Sequence, residues 1–157
     1  MLRRNESARQ RWGGHHQALD HWLEERQQLL VQYFQLAGLP PYEASSAGLP
    51  SAAAIQSFCE VLVDYVSTGH FEIYEHLIQQ SQVENDNAKA IAVQVFPLIA
   101  VTTERVLSFN DKYAEVDEKD SLPAFDSDLS ALGEALEVRM ELEDQLLQTL
   151  EEQAVLA

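Results

Sequence analysis

A helical pattern breaks within the stretch LVDYVSTGHFEIYEHL, which spans residues 62–77. Apolar residues lie along one helical face up to Val66 and again from Phe71 onward. The residues between them are polar apart from Gly69, and glycine readily ends a helix because it adopts left-handed backbone angles at low cost. The sequence therefore predicts a helix that begins near Ser51, ends at Gly69 and is followed at once by a second helical segment.

Three other segments carry an apolar stripe with helical spacing, and no stretch shows convincing strand alternation. The first stripe continues from Ala8 to Leu36 across Gly13-Gly14, which predicts one interrupted helix of roughly 30 residues. The last two run from about Asn87 to Tyr113 and from about Phe125 to Val155. The stripe that contains Pro97 stays in register through it, which predicts a kink and not an end.

Four long stripes joined by loops predict an all-α fold, an up-down bundle of four long helices. In this prediction the second helix is broken near Gly69 and the third is kinked at Pro97. The chain of 157 residues can bury one sizeable core, so we expect a single domain over residues 1–157, with residues 1–5 frayed. Cys59 is the only cysteine, which excludes an intramolecular disulfide and favours a reducing cytoplasm.

The chain is strongly acidic, with a formal net charge of −16 at pH 7. Residues 1–26 hold five arginines against four acidic residues, so the negative charge belongs to the rest of the chain. Such a body repels nucleic acid and anionic membranes, and a macromolecular partner is expected to be basic. The sequence contains no run of about 18 apolar residues, so we expect no membrane-spanning helix. The charge alone is also compatible with a surface that only aids solubility.

The sequence gives no positive sign of an enzyme. No Glu-x-x-His pair occurs, although carboxylate-bridged metal bundles use such pairs, so a metal-binding bundle is a weak alternative. A phosphotransfer bundle using His70 is a second one, but the neighbours of His70 are acidic and no cation stands ready for a phosphoryl group. Radiolabel on His70 would favour the phosphotransfer bundle, and metal retained after chelation would favour the metal-binding bundle. We predict no catalytic residue, no metal and no cofactor.

Two charged residues lie at the edge of the apolar stripe in the last helix. Arg139 and Glu143 are spaced i,i+4 and can pair with each other. A pair at the boundary would contribute little to stability. A pair that points inward would join a polar network with His70 or Tyr74 and fix the register of the helices. Both alternatives give the pair a structural role.

Two stretches, LVDYVSTGHFEIYEHL and LGEALEVRMELEDQLL, resemble the most distinctive motifs of the Rsd/AlgQ family, the bacterial regulators of sigma D. Further similarity lies in QRWGGHH, in DHWLEERQQLL and in the Phe-Pro step of VQVFPLI. The resemblance runs in order from Trp12 to about Leu150 and is closer to the AlgQ branch than to the Rsd branch. It does not extend to the loops at 40–50 and 114–125 or to the last few residues.

The resemblance implies an all-helical protein that binds the primary sigma factor of RNA polymerase through its C-terminal region, which reads the −35 promoter element. Members of the family compete with core polymerase and promoter DNA for this region, and AlgQ-like members are tied to alginate control. The resemblance thus implies a cytoplasmic anti-sigma factor that acts by stoichiometric sequestration. It implies no enzyme activity, no cofactor and no direct contact with nucleic acid. Some other basic regulator is an alternative partner.

Asp64 is the first candidate for partner binding, because it matches the aspartate of the family's D-Y-x-S-x-G-H-F motif and is predicted to point outward. An ordinary surface carboxylate is the competing interpretation. The residues expected to flank Asp64 in the partner-binding surface are Glu60, Ser67, His70, Phe71 and Tyr74, the last two of which also suit the core. A monomer is favoured, and a dimer formed through Trp12 or Trp22 is left open.

Overall fold

The computed structural model describes residues 1–14, 17–40, 50–74 and 86–152, whose regular secondary structure is helical, with no strand among them. The helices in chain order are α1 (Leu2–Trp12), α2 (Gln17–Ala37), α3 (Ala52–Thr68), a π-helical turn (Gly69–Tyr74), α4 (Asp86–Tyr113) and α5 (Phe125–Glu152). The predicted all-α class is confirmed. The predicted number of four long helices differs from the five α-helices of the described residues, because the first segment is divided.

The division of the first segment occurs at Gly13-Gly14. Gly13 caps α1 in an extended conformation and donates its N–H to the Arg9 carbonyl oxygen at 2.9 Å. Gly14 has a φ of 84°, a left-handed angle that glycine adopts without steric cost. Its N–H donates to Asp20 Oδ1 at 2.8 Å. The two glycines therefore end one helix, and the expectation of a single helix across them was wrong.

The N-terminal residues belong to α1 and pack against α2. Asn5 is fully buried, and its side-chain amide donates to the Leu23 carbonyl oxygen at 3.4 Å and to Gln27 Oε1 at 2.9 Å. Arg9 lies 3.2 Å from Glu24 across the same pair of helices. These contacts correct the expectation that residues 1–5 are frayed.

The start and the end of α3 agree with the prediction, but the backbone conformation of Gly69 does not. Ser51 is the N-cap, and its hydroxyl accepts the Ala54 N–H at 3.1 Å, as small hydroxyl residues commonly do. At the other end the α-helix stops at Thr68, but Gly69 keeps right-handed angles of φ −55° and ψ −51°. The chain passes into a π-helical turn, where each hydrogen bond spans one residue more. The expected stop in left-handed glycine is therefore absent.

The reason for a glycine at position 69 is space. Gly69 is buried, and a Cβ added there would lie 3.1 Å from Trp22 Nε1 and 3.2 Å from the Tyr74 hydroxyl oxygen. Both aromatic side chains are themselves in the core. The glycine therefore permits the π-helical turn to press closely against α2.

Helix α4 continues through Pro97 without ending, as the unbroken apolar stripe predicted. The part of it from Ala90 to Tyr113 is long and apolar enough to cross a membrane by length and composition alone, which differs from the expectation that the chain has no such segment. A core helix of a soluble protein passes the same test. One face of α4 is indeed buried, through Val106, Phe109 and other side chains.

The core lies between α2, α3, α4 and α5, where α4 packs most extensively against α5 and α2 against α3. Trp22 is fully buried in it, so a dimer formed through this side chain is excluded by the structure. The side chain of Trp12 lies outside the described part of the chain. Cys59 is a buried core residue, and burial raises the pKa of its thiol to about 11, which disfavours the thiolate.

Candidate functional site

An acidic face runs along the outer side of α3. Glu60 and Asp64 are exposed one helical turn apart, and Ser67 continues the same face with a partly exposed side chain. His70 follows in the π-helical turn and is also exposed. The spacing of α-helical residues at i, i+4 and i+7 places the first three on one line. We call these four residues the α3 acidic face.

The α3 acidic face borders two neighbouring depressions. Glu60 and Asp64 line a shallow pocket of about 410 Å³ that also includes Val63. Ser67 and His70 line a larger groove of about 770 Å³ between α3, the π-helical turn and α4. We call the second depression the α3–α4 groove. The predicted residues thus lie along one helix but border two different depressions.

Two of the predicted partner-binding residues, Phe71 and Tyr74, are not among the side chains that the structure shows as exposed. The side chain of Phe71 lies outside the described part of the chain, although its backbone belongs to the π-helical turn. Tyr74 is only 3% exposed, and its ring stacks on Phe96 with 5.9 Å between centroids. Tyr74 therefore supports the α3–α4 groove from below and is not freely exposed.

A buried polar network lies beneath this surface, and the Tyr65 hydroxyl is at its centre. Tyr65 donates to the Glu143 carboxylate, with 2.7 Å to Oε1, and accepts from Arg26 Nε at 3.1 Å. Arg26 and Glu143 are both fully buried, and their nearest charged atoms are 4.0 Å apart. The hydroxyl therefore bridges two charged groups that are too far apart for a direct hydrogen bond.

Arg139 is the second buried cation of the network. Its Nη1 donates to Thr103 Oγ1 at 2.8 Å and to Thr102 Oγ1 at 3.0 Å, both on α4. Its Nε lies 3.6 Å from Glu143 Oε1. The Tyr74 hydroxyl donates to Glu143 Oε2 at 2.8 Å. Of the two alternatives for Arg139 and Glu143, the inward arrangement matches the geometry, and it includes Tyr74.

Arg26 was not singled out from the sequence, yet it connects α2 to two other helices. Its Nη1 donates to Asp144 on α5 at 2.8 Å, and its guanidinium carbon lies 5.0 Å from the Trp22 ring centroid. The sequence does contain a pattern that predicts its burial, because Arg26 occupies a position in the apolar stripe of the first segment. A charged residue at such a position predicts a buried cation with a carboxylate partner.

Burial and charge shift the pKa values within the network. Burial raises the pKa of Tyr65 and of Tyr74 well above the ordinary value, and the Glu143 carboxylate adds to this effect. Burial opposes the charge on Arg26, but Tyr65, Glu143 and Asp144 outweigh it, so the pKa of Arg26 is raised. The two tyrosines therefore stay neutral donors while the arginine stays charged at physiological pH.

The histidines do not gather into a metal site within residues 1–14, 17–40, 50–74 and 86–152, where no cluster of three potential ligands occurs. His15, His16 and His76 lie outside these ranges. His21 is 3.1 Å from Glu25, an exposed i,i+4 contact on α2. The geometry of the described residues thus adds nothing to the metal-binding alternative.

A family model described as "Regulator of RNA polymerase sigma(70) subunit, Rsd/AlgQ" matches residues 1–151 of the chain. The chain belongs to the Rsd/AlgQ family. A similar relative is the regulator of sigma D of Yersinia enterocolitica, which is 39% identical over 149 residues, or 94% of this chain and 89% of the relative. The regulator of sigma D of Enterobacter sp. strain 638 is also 39% identical, over 148 residues that cover 94% of this chain and 88% of the relative.

The family resemblance read from the sequence is thereby confirmed, and with it the regulation of the sigma-70 subunit of RNA polymerase. The Rsd/AlgQ match adds no support to the phosphotransfer or metal-binding alternative. The finer placement in the AlgQ branch stays a prediction. Membership of the Rsd/AlgQ family makes the α3 acidic face a candidate surface for a protein partner.

Proposed function

We propose that this Rsd/AlgQ protein is an anti-sigma factor that binds the C-terminal, −35-reading region of the primary sigma factor and keeps it from core polymerase and promoter DNA. The observation that carries the proposal is the α3 acidic face, where Glu60 and Asp64 are exposed on a chain of net charge −16. It is supported by the family match and by the relatives named regulators of sigma D.

The mechanism follows from charge complementarity. A sigma region that docks on DNA presents a basic helix-turn-helix surface to the phosphate backbone. An acidic protein is attracted to that surface, speeds the encounter and excludes DNA from it. Sequestration of this kind is stoichiometric and needs neither a catalytic residue nor a cofactor. The protein acts in the cytoplasm, where RNA polymerase works, and we propose a monomer that binds one sigma factor.

The roles of individual residues follow from their exposure. Asp64 is the primary contact, Glu60 extends the charge by one helical turn, and Ser67 and His70 offer polar atoms at the other end. Phe71 and Tyr74 are proposed to complete the surface, Tyr74 from its buried position along the α3–α4 groove. Charged residues at the rim of an interface govern mainly the association rate, so apolar contacts must supply most of the lasting affinity.

The bundle architecture is part of the proposal. We propose that α2, α3, α4 and α5 form an up-down bundle with a kink in α4 at Pro97, supported by the packing of α4 on α5 and α2 on α3. Arg139 and Glu143 then act as a structural pair that fixes the register of α5 against α4. This arrangement holds the α3 acidic face in place without movement on binding.

The proposal is tested by titrating the full chain against the isolated C-terminal region of the primary sigma factor at low and moderate salt. Asp64→Ala is compared with Glu137→Ala, which removes the same charge from an exposed position on α5. We expect salt-sensitive binding that Asp64→Ala weakens about tenfold and Glu137→Ala by about twofold or less.

Three other results are informative. Equal weakening by both variants would mean that net charge alone drives binding and that the α3 acidic face is not the site. No binding by the wild-type chain at either salt would refute the anti-sigma function. Binding of a different basic regulator, captured from lysate and reproduced with the purified protein, would keep the acidic surface and replace the partner.

A further inference from the structure

Helix α4 carries large apolar side chains on its exposed side as well as on its buried side. One face is buried in the core, but four of the six exposed large hydrophobic side chains of the described residues also belong to this helix, namely Val93, Leu98, Val101 and Leu107. Val93 is 66% exposed and Leu107 is 46% exposed. Of these four side chains, Leu107 lines the α3–α4 groove together with other apolar side chains of both helices, and an exposed apolar groove marks an interaction surface.

Part of the outer face of α4 forms a wall of the α3–α4 groove. Pro97, Ala100, Glu104 and Leu107 line the groove at spacings of three, four and three residues, which places them on one helical stripe. The opposite wall includes Val66 from α3. An elongated apolar groove between two helices fits the apolar face of a third helix, which inserts side chains spaced i, i+3, i+4 and i+7.

The charges around the α3–α4 groove indicate which kind of helix can bind there. Arg139 lines its base but is 1% exposed and is balanced by Glu143, so it presents little positive charge to a ligand. Glu104 is the exposed charged side chain of the lining, and Asp64 lies one turn before Ser67 on the adjoining α3 acidic face. A helix with apolar anchors and basic flanks therefore complements the groove, and an acidic helix does not.

We infer that the α3–α4 groove binds a basic amphipathic helix of the sigma C-terminal region. This inference rests on the proposed function and adds to it a second contact area, in which α4 supplies apolar affinity and α3 supplies charge. A membrane surface is the less suitable occupant, because a protein of net charge −16 is repelled by anionic lipid.

The test uses the full chain and two substitutions of exposed alanines by phenylalanine. Ala100→Phe places a ring in the groove, whereas Ala53→Phe places the same ring on an exposed site of α3 outside it. Leu107→Ala removes an exposed anchor without opening the core. We expect Ala100→Phe and Leu107→Ala to raise the dissociation constant for the sigma C-terminal region about tenfold and about fivefold, respectively. Ala53→Phe should change it by about twofold or less.

The outcomes separate this inference from the proposed function. Wild-type affinity in Ala100→Phe and Leu107→Ala, together with a loss in Asp64→Ala, would overturn the inference and leave the anti-sigma function intact. Absence of wild-type binding would overturn both. Sedimentation with neutral phosphatidylcholine vesicles that is weakened by Leu107→Ala would assign the groove to lipid and overturn the inference in that way. Thermal melts of each variant establish that the chain is folded.

Discussion

The Tyr65 hydroxyl is the most consequential single atom in the buried network, and its removal has a predictable cost. Tyr65→Phe deletes the acceptor for Arg26 Nε at 3.1 Å and the donor to Glu143 at 2.7 Å while leaving the ring in place. Arg26 and Glu143 remain 4.0 Å apart and fully buried. The variant therefore isolates the bridging role of one oxygen atom.

The magnitude follows from the charge of the partners. Hydrogen bonds to charged groups contribute about 1.5–3 kcal/mol each, so the loss of two predicts a decrease of about 3 kcal/mol or more in the free energy of unfolding. Tyr33→Phe is the matched control, because the Tyr33 hydroxyl is also buried but donates to a neutral group, the Leu129 carbonyl oxygen, at 3.1 Å. That change predicts a loss of about 1 kcal/mol.

Urea unfolding followed by far-UV circular dichroism measures both values, provided that the m-value is unchanged. Losses that agree within about 0.5 kcal/mol would refute the reasoning, because they would mean that Arg26 and Glu143 close their gap and pair directly. Below the unfolding transition, Tyr65→Phe should bind the sigma C-terminal region with wild-type affinity, since the hydroxyl lies beneath the surface and not on it.

Three further outcomes are expected. Gly69→Ala should lower stability by about 1 kcal/mol, because crowding against Trp22 outweighs the gain of about 1 kcal/mol in helix propensity. Gly133→Ala should cost about 1–3 kcal/mol, because a Cβ there would overlap the Tyr33 hydroxyl. Asp128→Asn should lower the melting temperature at pH 7 but not at low pH, because hydrogen bonds lower the pKa of Asp128 and its contribution disappears as pH falls below about 4.

Urea unfolding tests both glycine variants, and a rise in stability for either would show that its aromatic neighbour moves aside. Thermal melts across the acidic pH range test the aspartate variant. Hydrogen bonds from Lys112 and Tyr113 stabilise the Asp128 carboxylate. A difference from wild type that persists unchanged at low pH would attribute the effect to the introduced asparagine side chain and not to the loss of these bonds.

The helices of the chain were predictable because their apolar stripes are long. The stripes placed the start of α3 near Ser51 and the span of α4 through Pro97 close to their observed positions. The pattern did not predict the end of α1, because the stripe keeps its spacing across Gly13-Gly14 even though the backbone changes direction there. Periodicity reports which side is buried, whereas a positive φ at Gly14 is a local property that periodicity does not detect.

The surface residues were easier to predict than the network. Asp64 and Glu60 are exposed because they oppose an apolar stripe, which the sequence shows directly. The bridge from Tyr65 to Glu143 connects residues 78 positions apart, and no local pattern encodes such a contact. The prediction of a left-handed Gly69 was wrong, since glycine is needed there because of the nearby Trp22 ring and not because of its backbone angles. The spacing of residues along the sequence therefore does not predict contacts between distant segments.

The placement of the buried charges has a consequence for biosynthesis. Arg26 emerges early from the ribosome, but its partner Asp144 follows 118 residues later. At ordinary translation rates of about 5–20 residues per second, the arginine therefore lacks this carboxylate for roughly 6–24 s. A charged group without a partner resists desolvation, so the nascent helices α1 to α4 cannot close around it. The apolar surfaces of α3 and α4 stay open to chaperones until α5 arrives, which makes the last helix the one that commits the chain to its native state.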